Sequence, residues 1–245
     1  MRRASGRRGI ERALRWPAAL VGAAIFGYAA VAAAAWFRYG RSGRPPDPDD
    51  ADPLLDRFFP VCDVVERHRI AVDAPPEITL AAARDVRFDD SSIVRLIFRV
   101  RELAMGGEPS DRATATLEAQ MRSIGWGALD EIPGRAIVFG AVTAPWEANP
   151  VFRPLPPDAF AAFDEPGLVR IAWTLRADAA GEGRSIFRTE TRAHPTDPGT
   201  RARFRRYWAL VSPGVWTIRR LLLRPVRREA ERRWRMLQRS GDVVH

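Results

Sequence analysis

The chain has 245 residues, 46% of them hydrophobic, which suits one sizeable domain with its own core plus a tail or anchor, and excludes a disordered chain. All 39 basic residues are arginine and the formal net charge is +9, but residues 1–44 hold 9 Arg against Glu11, residues 45–200 hold 17 Arg against 26 acids, and residues 201–245 hold 13 Arg against 3 acids. An acidic body with basic ends argues against nucleic acid as the partner, and the single cysteine, Cys62, excludes an internal disulfide or a Cys-based metal site.

Residues 17–37 (PAALVGAAIFGYAAVAAAAWF) carry no charge, and a helix of that length rises about 30 Å, the thickness of a bilayer's hydrocarbon layer. They are expected to form a transmembrane anchor behind a basic N-terminus, residues 1–16. A cleaved signal peptide is the alternative, with Ala33-Ala34-Ala35 as the cleavage site. Arg2, Arg3, Arg7, Arg8, Arg12 and Arg15 precede the apolar run, and Arg38, Arg41 and Arg44 follow it. That bias puts the N-terminus in the cytoplasm and the domain on the extracytoplasmic side of a plasma membrane. Residues 38–60, rich in Gly, Pro and Asp, read as a linker.

The domain is expected over 61–238, with a short tail over 239–245. Residues 61–73 read as a strand. Ala74-Pro75-Pro76-Glu77 opens a short helix to about Val86, since proline suits a first helical turn. Asp89-Asp90-Ser91-Ser92 offers caps for a second helix, in which Ile93, Leu96, Ile97, Val100 and Leu103 recur at helical spacing up to Gly106-Gly107. Residues 112–124 suggest a third. Strands are expected at 126–131 and 135–146 about a Pro133-Gly134 turn, a short helix near Pro157, and a hairpin of strands 167–177 and 183–194. From Asp197 to Gln238 the pattern is helical, with Ser212-Pro213-Gly214 expected to bend or break it.

This order makes an α+β domain: a curved antiparallel sheet with one face covered by a long amphipathic C-terminal helix. Ala74-Pro75-Pro76-Glu77 after the first strand, the segment Leu117–Trp126, the strand Thr189-Glu190-Thr191-Arg192, and Phe204–Trp208 with Pro213-Gly214 and Ile218-Arg219-Arg220 carry a resemblance. Over roughly residues 61–235 the chain resembles the START-like (SRPBCC, helix-grip, polyketide cyclase/dehydrase-like) superfamily, in an uncharacterised bacterial branch. The resemblance implies a helix-grip fold holding an apolar ligand between sheet and helix, with a bacterial inner membrane as the location. It does not imply one function, because the fold hosts many.

Among the residues themselves, no nucleophile elbow, phosphate loop or HExxH pattern is found, and His68, His194 and His245 lack a second ligand at metal spacing. No catalytic residue, metal or cofactor is expected. Trp126, Trp146, Trp173, Phe187, Glu190 and Trp208 are candidate pocket residues; packing in an ordinary core is the bland reading for most of the tryptophans. Glu190 would anchor a ligand head group if it faces the cavity, and would otherwise belong to a solvent-facing ladder with Arg188 and Arg192. Arg227, Arg228, Arg232 and Arg233 are candidate contacts to anionic lipid.

The expected function is a membrane-tethered binding or carrier domain for a lipid or other small apolar ligand. An enzyme of cyclase, dehydratase or hydrolase type, and an interaction protein with a vestigial pocket, are the rivals.

Overall fold

The computed structural model describes residues 5–39, 51–87, 106 and 116–241. The expected helix over 89–105 lies outside them. The chain is α+β, built on a curved five-stranded sheet in the order β1-β5-β4-β3-β2 with every neighbouring pair antiparallel. The strands are β1 (Val64–Val72), β2 (Gly127–Ile132), β3 (Ala136–Thr143), β4 (Val169–Ala179) and β5 (Ser185–Pro195). The helices are α1 (Ser5–Arg38), α2 (Pro53–Asp56), α3 (Pro76–Asp85), α4 (Leu117–Ser123), α5 (Pro157–Ala161) and α6 (Pro198–Gly241).

Strand alternation sorts the side chains onto two covered faces. Val72, Phe139, Trp173, Leu175 and Phe187 pack on one face against Leu80 of α3, Leu117 of α4 and Leu222, Leu223 and Val226 of α6. At the other end of the same face, Val64, Val169 and Ala193 meet Phe204 and Trp208 of α6 and Tyr39 just past α1. The opposite face is not bare. Val138, Val142, Ala172 and Leu129 are covered there by Leu55, Phe58, Phe59 and Phe160.

This second layer corrects the expected linker. Its second half, from Asp52 to Phe59, docks on the sheet because Leu55, Phe58 and Phe59 supply an apolar face that is fully buried. Asp52 caps the first turn of α2, its carboxylate accepting from the Leu54 amide at 3.2 Å.

Helix α6 begins under a cap of its own. The Asp197 carboxylate accepts from the Thr200 hydroxyl and amide and from the Gly167 amide, which hold its pKa far below the usual carboxylate range. The helix then runs through both Pro213 and Pro225, so that of the bend or break expected at Ser212-Pro213-Gly214 the break does not occur. Phe204, Trp208, Leu222, Val226 and Ala230 bury one continuous stripe against the sheet side, and that packing outweighs the backbone hydrogen bonds that the prolines remove.

Helix α1 lies alongside the first half of α6, antiparallel to it. The Tyr28 hydroxyl donates to the Leu210 carbonyl, Arg205 donates to the Trp36 carbonyl at 3.1 Å, and the Tyr39 hydroxyl donates to the Arg201 carbonyl at 3.2 Å. Among the described residues, no helix is long and apolar enough to cross a membrane.

Candidate functional site

The face of the sheet beneath α6 contains a polar group of side chains among its apolar ones. On β1, alternation points Val64, Glu66, His68, Ile70 and Val72 the same way, so that Glu66 and His68 interrupt an otherwise apolar row. On β5, Thr189 and Thr191 stand on this face beside Phe187, with Thr191 paired to Glu66 and Thr189 to His68 across the strands. Trp173 of β4 donates its indole N–H to the Thr189 hydroxyl.

Arg219 enters this group from α6. Its guanidinium lies 3.9 Å above the Trp173 ring centroid, and its Nη2 donates to the Thr191 hydroxyl at 2.9 Å. The residue as a whole is half-buried. Loss of water around the guanidinium lowers its pKa to about 9, with Glu66 acting the other way, so it remains a cation at neutral pH. Glu66 is raised from its ordinary value, first by burial, and Arg38 and Arg219 only partly offset that. His68 is pushed down to about 4, by burial and then by Arg219 and Arg220, so it is neutral at physiological pH. Its Nε2 is buried and has no hydrogen-bond partner among the described residues. The cluster therefore presents one fixed cation, a partly compensating carboxyl group and a neutral imidazole, all against an aromatic wall. That inventory suits an anionic or strongly polarised oxygen better than a second cation.

Of the candidates read from the sequence, Trp173, Phe187 and Trp208 line the covered face, and Trp173 touches the charged cluster directly. Trp126 is partly buried at the far side, its ring stacked on Phe152 at 5.5 Å. Trp146 packs part-buried near Trp208 and Val169.

Glu190 lies on the opposite face. It is neither solvent-facing nor turned toward α6: the residue is 5% exposed, and it accepts from Arg67 Nε at 2.7 Å and from Arg192 Nε at 2.6 Å. Arg192 in turn pairs with Asp56 of α2 at 2.7 Å. A surface depression of about 130 Å³ lies beside this network, lined by Asp52, Arg67, Arg176, Arg188 and Glu190 among others. Its charges already satisfy one another, since Arg176 and Arg188 both pair with Asp178 at 2.6 and 2.8 Å. It reads as the clamp that holds the Asp52–Phe59 segment down.

The candidate lipid-contacting arginines are mostly engaged too. Arg227 pairs with Glu231, Arg232 with Glu229, and Arg233 with both Glu229 and Asp85, while Arg228 is exposed. His194 sits at a strand end with Nδ1 3.0 Å from Asp63. Cys62 is half-buried in the second layer, and burial raises its thiol pKa. Among the described residues, no group of His, Cys, Asp and Glu could hold a metal ion.

Glu66, His68 and Arg219 are not among the candidate pocket residues read from the sequence, where His68 is named only as lacking a second metal ligand and Arg219 only within Ile218-Arg219-Arg220. The available signal was the polar pair at alternate positions between Val64 and Ile70, which breaks an apolar strand face.

No family model matches the chain, and no curated protein matches it. Among solved structures it is similar to protein CV1439 from Chromobacterium violaceum, at 14% identity over 63% of this chain and 95% of that one, with a TM-score of 0.24. It is also similar to CalU16 from Micromonospora echinospora, at 16% identity over 71% of this chain and 98% of that one, again with a TM-score of 0.24. A third likeness, to Ara h 8.0201, has 11% identity over 65% and 97% of the two chains and a TM-score of 0.19. Likenesses of this size assign no role to any residue.

Proposed function

We propose that the chain is a START-like binding domain for a small, largely apolar molecule with an anionic or strongly polar oxygen-bearing head, seated between the sheet and α6. The order of strand, helices, antiparallel strands and long covering helix supports the fold assignment. One observation carries the ligand assignment: the Arg219 guanidinium, desolvated on Trp173 within an apolar interface, whose nearby carboxyl group Glu66 is itself raised toward neutrality. A carboxylate or phosphate would give this cation a full partner, and the apolar side chains packed between sheet and α6 would have to part to take the tail.

Mass spectrometry of organic extracts from the purified full chain tests this reading. A stoichiometric amphipathic acid in the wild type that is missing from Arg219→Met supports it. An empty wild-type protein that titrates neither a fluorescent fatty acid nor its ester overturns it.

An enzymatic reading draws on the same cluster, with Glu66 in place of Glu190 as the acid–base group, because burial raises its carboxyl pKa and a neutral imidazole stands beside it. Glu66→Gln separates the two readings. It preserves ligand retention in a binding domain and abolishes turnover of the retained compound in an enzyme.

A further inference from the structure

The antiparallel pair made by α1 and the first half of α6 exposes large apolar side chains on both helices and arginines on α6. On α1, Ile25, Phe26 and Phe37 are 65%, 76% and 66% exposed, and on α6 Leu210 and Trp216 are 52% and 40% exposed. Nothing among the described residues covers them. Arg203, Arg206 and Arg224 flank this strip on α6, exposed and without an acidic partner among the described residues. Arg220, also exposed, lays its guanidinium 4.1 Å over the Trp216 ring. Exposed apolar side chains beside arginines without an acidic partner among the described residues match the two layers of an anionic membrane surface, acyl chains below and phosphates above.

The pairing also limits how this surface meets a bilayer. The longest uncharged run of helix α6 is Tyr207 to Ile218, 12 residues. That stretch rises about 18 Å, against about 30 Å of hydrocarbon. While α1 stays on α6, as Tyr28, Trp36 and Tyr39 hold it, the pair cannot cross without burying Arg205, Arg206, Arg219 or Arg220 in lipid. Lying flat, it would bury Phe26, Leu210 and Trp216 at the acyl boundary and leave Arg203, Arg206 and Arg224 at headgroup level.

We propose that the α1–α6 pair is a monotopic docking surface for an anionic bilayer, lying in the plane of the interface, so that both ends of the chain remain on one side of the membrane. This does not rest on the ligand proposed for the interior.

The full chain is tested in two ways. Purified protein is sedimented with phosphatidylcholine vesicles with and without phosphatidylglycerol. We expect binding only with the anionic lipid, loss in high salt, and at least about tenfold weaker binding for the charge-reversed Arg203→Glu/Arg206→Glu/Arg224→Glu variant. Equal binding to neutral vesicles overturns the proposal, and so does an oligomer that hides the strip and binds no vesicle. In cells, protease accessibility of N- and C-terminal tags should place both on the same side. Tags on opposite sides would show that α1 spans the membrane and overturn the proposal.

Discussion

Arg219 lies 3.9 Å above the Trp173 ring, on the face of the sheet that α6 covers. A desolvated cation there opposes folding unless something compensates it, and the Trp173 face, the Thr191 hydroxyl and Glu66 do so only in part. Arg219→Met keeps the bulk and removes the charge. Thermal melting should show a Tm unchanged or slightly raised, while uptake of a fluorescent fatty acid is lost. Arg219→Lys should not restore uptake fully, because an ammonium lacks the planar fork that grips a carboxylate. A Tm that falls steeply in Arg219→Met would make the residue a structural strut.

The cluster was only half legible in the sequence. Trp173 is legible because it alternates with Val169, Ile171 and Leu175 on one side of its strand. Arg219 stands there only within Ile218-Arg219-Arg220, and one arginine among 39 gives no sign of a site until the phase of α6 on the sheet is known. Glu190 was noticed for its mid-strand position, but a single strand does not say which of its faces meets the helix. The β1 register and the α2 segment decide that, by bringing Arg67 beside Glu190 and Asp56 against Arg192. From β1 onward the strand and helix order of the described residues is readable in the sequence, since alternation and the Pro133-Gly134 and Gly181–Gly183 turns are local signals. The docking of Leu55, Phe58 and Phe59 was hidden by the Pro- and Asp-rich run before them.

His68 makes stability depend on pH. Its pKa is about 4 in the folded chain against an ordinary value of 6.5, so between those two values the unfolded chain takes up a proton that the folded chain refuses. Stability should therefore fall as pH drops from about 6.5 toward 4. The loss is about 1–2 kcal/mol once solvent screening of a half-buried group is allowed for. Glu66 opposes the trend, because its raised pKa lets the folded state accept a proton more readily, while Arg219, lowered only to about 9, stays charged throughout. Urea midpoints across this range should flatten in His68→Gln. An unchanged slope would mean that His68 is solvated in both states.

Glu190 should be costly to remove. Its side chain is 6% exposed and that of Arg192 4%, so Glu190→Ala leaves a buried guanidinium with Asp56 as its remaining acid. The expected loss is roughly 2–4 kcal/mol in chemical denaturation, with ligand retention unaffected in the folded fraction. The double variant Glu190→Leu/Arg192→Met should recover much of it, since two apolar side chains need no partner. Failure of the double variant to recover would show that the clamp on α2, rather than the buried charge, dominates.

Gly140 on β3 gives the sharpest packing test. A Cβ placed there would overlap the Leu129 side chain and come within 3.2 Å of the Phe160 ring, and both of those residues are buried. Neither neighbour can retreat, because Leu129 sits under Phe58 and Phe59 and Phe160 is wedged edge-on against both of those rings. Gly140→Ala should thus destabilise by about 1–3 kcal/mol through overpacking, and Leu129→Ala by about 2–4 kcal/mol through a cavity. Because the new methyl enters the space the leucine leaves, the double variant should cost clearly less than the sum of the two singles. Simple additivity in a double-mutant cycle would mean that the second layer does not press on β3 as described, and would remove the support for Asp52–Phe59 as part of the folded domain.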